Sequence, residues 1–432
     1  HTLVRAASYC RQLQLPGTML PVPLILTVVC AVCVAWAGHA PPVTEGVAQT
    51  PPMGWNTWGQ YRCNINETLI QNAAAALVSS GLAKAGYVYV NIDDCWAEKE
   101  RDSNGRLVPS RERFPSGLRV LSDQLHARGL RLGIYSDVGH RTCQGYPGSY
   151  GAFATDAQTF AEWGIDYLKL DYCHTTISEK VDPAPFYADM AAALKQTGRP
   201  IVFSVCNWGD REPWKWAPEF ANMWRIYGDL WPSWERVMEA VTRNTDLADY
   251  AKPGKWNDPD MLMVGVQGHF FNWPGMPATN LTLRESRTQF SLWAIFASPL
   301  LASNNLLAMP SEVLAILSNS EVIRVNQDTA GVQGRLVAEV RTGAGMPLLC
   351  AQSVCRWTQV FTRPLADGSF AAVLFNRAGR WSQADTRFRA EDIVLPWAAL
   401  GVPEATSFSV RDLWTHSDVG VFSGEFKAAG VQ

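Results

Sequence analysis

The sequence predicts a (β/α)8 barrel followed by an antiparallel β-sandwich. Three observations carry this. From residue 50, short β-rich runs alternate with longer helical stretches about eight times over some 280 residues, the rhythm of a parallel sheet closed by helices. Most of the β runs end in acidic residues, as expected where a barrel keeps its site at the C-terminal strand ends. After about residue 330 the long amphipathic stretches stop. Short β runs separated by Gly, Asp and Pro replace them, the pattern of a small antiparallel sandwich. A doubly wound sheet would need a Gly-rich phosphate turn after an early strand, and no G-x-G-x-x-G stands there.

The β runs come in order. Met53 to Trp58 is the first. Tyr87 to Ile92 leads into Asp93-Asp94, Leu130 to Tyr135 into Ser136-Asp137, and Asp166 to Leu170 into Asp171. Ile201 to Val205 precedes Cys206-Asn207-Trp208, Met223 to Tyr227 precedes Gly228-Asp229, and Lys255 to Asn257 precedes Asp258-Pro259-Asp260; Ser298 to Ala302 closes the set. Between them lie helical candidates with Gly as the stop signal: Glu67 to Ala85, Ser116 to Arg128, Phe153 to Trp163 and Pro185 to Thr197. Ser233 to Tyr250, Arg284 to Phe296 and a last helix from Pro310 through Leu317 complete the series. The β runs of the second unit are 335–340, 357–362, 370–375, 393–395, 407–410 and 419–422.

The chain has 432 residues and a net charge of −3, so a polyanion-binding surface, and with it nucleic acid as a partner, is not expected. Hydrophobic content of 47 % against 18 % charged excludes global disorder. Most of the 18 Trp should pack in the core, but flat amphipathic rings also suit stacking on sugars. Residues 1–46 read as a leader and linker: Leu20 to Ala37 carries no charge and ends in the small-x-small site Ala35-Trp36-Ala37. A signal anchor is the competing reading; cleavage fits better, so no stable membrane anchor is expected and the product is secreted or lumenal. With such a leader, disulfides are the default use of the cysteines. Setting aside Cys10, Cys30 and Cys33 leaves Cys63, Cys95, Cys143, Cys173, Cys206, Cys350 and Cys355, an odd number, and no zinc-type spacing. Asn66-Glu67-Thr68 and Asn280-Leu281-Thr282 are glycosylation sequons.

The strand ends bring Asp93, Asp94, Asp137, Asp171, Asp229, Asp258 and Asp260 to one face, beside Lys169, Arg225, Trp58, Trp208 and Tyr135. Carboxylates converging next to aromatic rings are the equipment of a glycosidase: one attacks the anomeric carbon, one protonates the leaving oxygen, others hold sugar hydroxyls. Lys169 and Asp171 stand at i and i+2 on a strand and share a face, so the lysine favours the ionised form of the aspartate, as a nucleophile requires. Such a cluster also suits a divalent metal, but Lys169 and Arg225 among the carboxylates weaken that reading, and neither metal nor cofactor is expected. No G-x-S-x-G elbow is present.

The segments 52–58 (PMGWNTW), 91–96 (NIDDCW), 133–137 (GIYSD), 166–171 (DYLKLD) and 256–261 (WNDPDM) resemble glycoside hydrolase family 27, the α-galactosidase and α-N-acetylgalactosaminidase family, in order from about residue 50 to the end. The resemblance is nearest to fungal and plant-type members. It implies a barrel, a C-terminal antiparallel β domain and a retaining double displacement that releases terminal α-galactose from oligosaccharides or glycoconjugates. It implies Asp171 as nucleophile and Asp229 as acid/base, Asp93 and Asp94 on the galactose O4 and O6 hydroxyls, and Lys169, Arg225, Trp58, Tyr135, Cys143, Asp260 and Met261 in the pocket. It also implies the pairings Cys63–Cys95 and Cys143–Cys173; Cys350–Cys355 is a guess that leaves Cys206 free in the pocket.

Three departures from the family pattern stand out. Cys206-Asn207-Trp208 puts bulk where it should crowd a 2-acetamido group, so free galactose is favoured. Gly268 to Asn280 is a long aromatic and Pro-rich loop. The chain stops at Gln432, short of the last strand or two expected. The units are thus 1–46, the barrel 47–330 and the β domain 331–432. α-N-Acetylgalactosaminidase and β-L-arabinopyranosidase are the alternatives within the family. A metal-dependent barrel enzyme and a non-catalytic sugar-binding protein are the alternatives outside it.

Overall fold

The computed structural model describes residues 2–8, 46–174, 182–268, 280–342, 356–377 and 390–431. The leader segment Leu20 to Ala37, the core of the 268–280 loop and the Cys350–Cys355 pair lie outside the described residues.

Strand β1 is Thr2–Ser8; the barrel strands are β2 (Met53–Asn56), β3 (Tyr89–Asn91), β4 (Arg131–Asp137), β5 (Tyr167–Asp171), β6 (Val202–Val205), β7 (Met223–Arg225), β8 (Trp256–Asp258) and β9 (Leu300–Ala302). They pair in parallel in the order β8-β7-β6-β5-β4-β3-β2-β9. The ends of that order meet at the parallel bridge Leu262↔Ala302, where Leu262 N donates to Leu301 O at 2.8 Å, and the barrel closes. All eight strands fall within the β runs read from the sequence or extend them by up to two residues. Apolar side chains fill the layers inside and outside, and Trp55, Trp224, Trp256 and Trp293 are fully buried. One strand crossing depends on glycine: a Cβ on Gly133 would lie 1.9 Å from Asn91 Oδ1, so only glycine lets the Asn91 side chain enter the barrel.

The helical stretch 67–85 is two helices, Glu67–Ser79 and Leu82–Ala85, because Gly81 turns left-handed (φ 84°) between them. A helix at Ser320–Asn326, not anticipated, follows Ser311–Leu317. Among the described residues, no helix is long and apolar enough to cross a membrane.

The second unit holds β10 (Arg335–Thr342), β11 (Arg356–Pro364), β12 (Phe370–Asn376), β13 (Glu391–Pro396), β14 (Ser407–Asp412), β15 (Ser417–Ser423) and β16 (Glu425–Val431). A six-stranded antiparallel sheet in the order β10-β11-β12-β1-β14-β15 faces the pair β13-β16. Val360, Leu374, Ile393, Trp397, Phe408 and Phe426 form the core between them. The opposite face of the large sheet lies against the barrel: Phe361, Val373 and Phe375 join the barrel's apolar cluster, and fully buried Arg363 donates to Ala294 O at 3.2 Å. The reading of residues 1–46 as leader and linker missed one feature: Thr2–Ser8 is a central strand of this sheet, and the second unit is not made of residues 331–432 alone. A strand whose partners lie more than 360 residues away leaves no local signal.

Candidate active site

The C-terminal ends of β2 to β8 surround a cavity of about 190 Å³. Its wall includes Trp58, Asp93, Asp94, Tyr135, Cys143, Lys169, Asp171, Trp208, Arg225, Asp229, Asp260 and Met261, all named from the sequence as site residues, Cys173, named only as a disulfide partner, and Gln144 and Leu230, which were not named.

Lys169 and Asp171 follow the strand alternation. Lys169 Nζ reaches Asp93 Oδ2 at 3.0 Å, and Asn56 Nδ2 donates to the same oxygen at 2.9 Å. Burial works against the lysine's charge, but Asp93 and the other neighbouring anionic groups carry its pKa well above the usual value, so it stays protonated. Asp94 is oriented by its own turn: Cys95 N donates to Oδ1 at 2.6 Å and Gln144 N to Oδ2 at 2.9 Å. These bonds leave the two carboxylates fixed as a pair at one end of the cavity.

Asp171 accepts from Tyr172 N at 3.0 Å, and its Oδ2 lies 3.6 Å from Cys143 Sγ. Burial pushes its carboxyl up to about 6; Lys169 pulls it down and the charge of Asp229 pushes it up again. Asp229 is held by Arg225 Nη2 at 3.1 Å, and Arg236 Nε donates to its carbonyl at 2.8 Å. Burial opposes ionisation here too, yet Arg225 and Lys169 keep the Asp229 carboxyl below the usual carboxylate range. Its side chain is 53 % exposed, so water tempers that pull. Arg225, itself buried, also binds Asp260 Oδ2 at 2.9 Å. The rim is strained: Cys95, Trp208 and Asp260 all carry positive φ (75°, 55° and 86°), and each follows a barrel strand.

Cys63–Cys95 and Cys143–Cys173 are bridged, with Cα separations of 5.2 and 5.0 Å. The second bridge forms part of the wall, and Tyr135 OH donates to Cys143 Sγ at 3.2 Å. Behind it, Asp137 accepts from Gly139 N at 2.7 Å and Cys173 N at 2.8 Å; burial, with Asp171 next, drives its carboxyl up to about 9. Asp137, Cys143, Asp171 and Cys173 are the one grouping of potential metal ligands among the described residues. Both sulfurs are tied in the bridge, so only two carboxylates are left to it, a poor donor set for a divalent ion.

Two residues expected in the pocket are not on its wall. Cys206 is free and buried, extending β6 through Cys206 N to Leu170 O at 2.9 Å, with its Sγ 3.5 Å from Arg225 Nη1 underneath the cavity. Asn207 is fully buried and turned back to Asp210 O at 2.6 Å. The left-handed backbone at Trp208 then swings the indole, not the asparagine, onto the wall. Asn207 therefore has no contact through which to crowd a sugar substituent.

A charged, aromatic-edged pocket at the mouth of a (β/α)8 barrel, holding several carboxylates, defines a site of glycoside hydrolase type. A family model described as alpha galactosidase A matches residues 50–328, and one described as alpha galactosidase C-terminal beta sandwich domain matches residues 356–432. The chain is 41 % identical to alpha-galactosidase of Cyamopsis tetragonoloba over 388 residues, 89 % of this chain and 84 % of that one. It is 40 % identical to alpha-N-acetylgalactosaminidase of Gallus gallus, over 86 % of this chain and 88 % of that one. The crystal structure of alpha-galactosidase I from Mortierella vinacea superposes with a TM-score of 0.77 at 34 % identity, covering 89 % of this chain and 96 % of that one. The chain belongs to glycoside hydrolase family 27, the α-galactosidase family.

Proposed function

We propose that the protein is a retaining α-galactosidase that releases terminal α-linked galactose from oligosaccharides or glycoconjugates. The observation that carries this is the placing of Asp171 and Asp229 on one small cavity, with the Asp93–Asp94 pair fixed at its end. Asp171 attacks the anomeric carbon. Asp229 gives its proton to the leaving oxygen, and a sugar seated over this half-exposed side chain strips water from it and raises its pKa toward that task. Once Asp171 is esterified its charge is gone, Asp229 becomes the stronger acid again, and as carboxylate it draws the proton from the incoming water. Lys169 and Arg225 fix Asp93 and Asp260 in place beside the reacting pair.

The choice of galactose over its 2-acetamido relative rests on Trp208, whose indole takes wall space that a small residue would leave open. Hydrolysis of p-nitrophenyl α-galactoside against the α-N-acetylgalactosaminide, with and without EDTA, tests this: strong, chelator-insensitive cleavage of the galactoside alone is expected. Cleavage of the acetamido sugar at a comparable rate contradicts the assignment. Both sequon asparagines, Asn66 and Asn280, are exposed and open to a glycan.

A further inference from the structure

We propose that the gap between β12 and β14 is a strand-binding slot whose occupant is the chain's own Thr2–Ser8 segment, held as a separable ligand. Thr2 to Ala6 pair with Leu374 to Phe370 on one side, and Val4 to Ser8 with Asp412 to Phe408 on the other, both antiparallel. β12 and β14 therefore run parallel to each other, two strand spacings or about 9.6 Å apart. Without β1 they would face each other as two open edges, and joining them would demand a different hydrogen-bond pattern. The slot cannot simply close.

Side chains fix the occupant as firmly as the ladder does. Leu3 is fully buried in the apolar cluster shared with the barrel, and Val4, on the other face, is 2 % exposed in the sandwich core. Arg5 lies on the Leu3 face, where it pairs with Asp367 and donates to Ser369 Oγ at 2.9 Å. Leu413 N donates to Leu3 O at 3.1 Å. One strand thus joins barrel, sheet and sandwich core.

Nothing in this requires a covalent link. By length alone residues 9–45 can reach ~120 Å, so the connection does not select the slot. Thr2 stands opposite Leu374, and two residues along the same strand Asn376 Nδ2 donates to Val431 O at 3.0 Å. The segment starts beside the place where β16 finishes, as a following strand would. Cleavage anywhere in 9–45 would therefore yield a two-piece protein rather than one stripped of its N-terminus.

The test uses the full chain with a protease site inserted between residues 9 and 45. After cutting, the short fragment is expected to co-elute with the body on gel filtration in native buffer and to separate only in denaturant. Its release on the native column overturns the proposal. Val4→Asp in the same chain is expected to release the fragment on cutting; retention there also overturns it. Should that variant fail to fold, excess fluorescent peptide 1–9 incubated with the cut parent chain, to exchange with the resident fragment, replaces it as probe. Saturable uptake is expected, at least about tenfold weaker for the Val4→Asp peptide because a charge would enter the core, and equal uptake contradicts the claim. A dimer in which labelled strands cross between copies would overturn occupancy by the chain's own segment.

Discussion

At the scale of residues, the site is two carboxylates tuned by their neighbours. Asp171 sits deep, with burial raising its carboxyl to about 6, while Asp229 is held low by Arg225 and Lys169. Because each charge acts on the other, the pair titrates as a unit, and the reactive form carries one proton between the two. That proton is lost as pH rises through about 6. The kcat/KM profile on an aryl α-galactoside is therefore expected to be bell-shaped with its optimum on the acid side and its alkaline limb near pH 6. A profile still flat at pH 8 would contradict the electrostatic account. Asp137 does not line the cavity; its place is behind the wall, where it fixes the Gly139 turn and the Cys173 amide.

At the scale of elements, the strand ends aim the site and the helices brace it. The helix Leu283–Ile295 carries a full capping box, with Thr282 accepting from Glu285 N and Glu285 answering to Thr282 N at 2.7 Å. Thr282→Ala is expected to cost about 1 kcal/mol in denaturant unfolding with kcat unchanged. Since that change also removes the Asn280 sequon, Asn280→Gln is the control and should leave the midpoint where it was. Much of this level was legible in the sequence. Most barrel strands are short apolar runs with acidic punctuation, and Asp93, Asp94, Asp171, Asp229 and Asp260 could be placed because a strand end has one geometric meaning in a barrel. What was not legible depends on rotation or on distance. The positive φ at Trp208 decides that Asn207 turns inward, and no residue-type pattern announces it. Cys206 does face into the barrel, but it sits beneath the cavity, where Arg225 lies over its sulfur. Thr2–Ser8 was hidden by the apolar run that follows it and by partners far along the chain, and Glu425–Val431 mixes polar and small residues with little β signal.

At the scale of the molecule, buried acids give the fold an acid-leaning stability. Burial raises Asp258 and Asp171 to about 6 and Asp137 to about 9, each above the value of an unfolded aspartate near 4. A carboxyl raised in the folded state contributes fully below its unfolded pKa, and that contribution is lost as pH climbs through the folded one. Glu321, lowered to about 2 by Arg411, acts with the opposite sign but only below about 4.5. The unfolding temperature is thus expected to fall by roughly 3 °C or more between pH 5 and pH 8, measured by calorimetry. A rise over that range would contradict the assignment of these buried acids.

The central claim is that Asp171 forms the covalent bond to galactose. The most direct measurement is to trap that bond with a slowly turned-over activated 2-fluoro-α-galactoside, digest the protein and locate the added mass. The label is expected on Asp171 in the parent chain and on no residue of Asp171→Asn, whose unfolding temperature should not fall below that of the parent. A label on another carboxylate, or galactoside turnover by Asp171→Asn within about tenfold of the parent, where loss of a nucleophile costs on the order of 10⁴-fold or more, would contradict it.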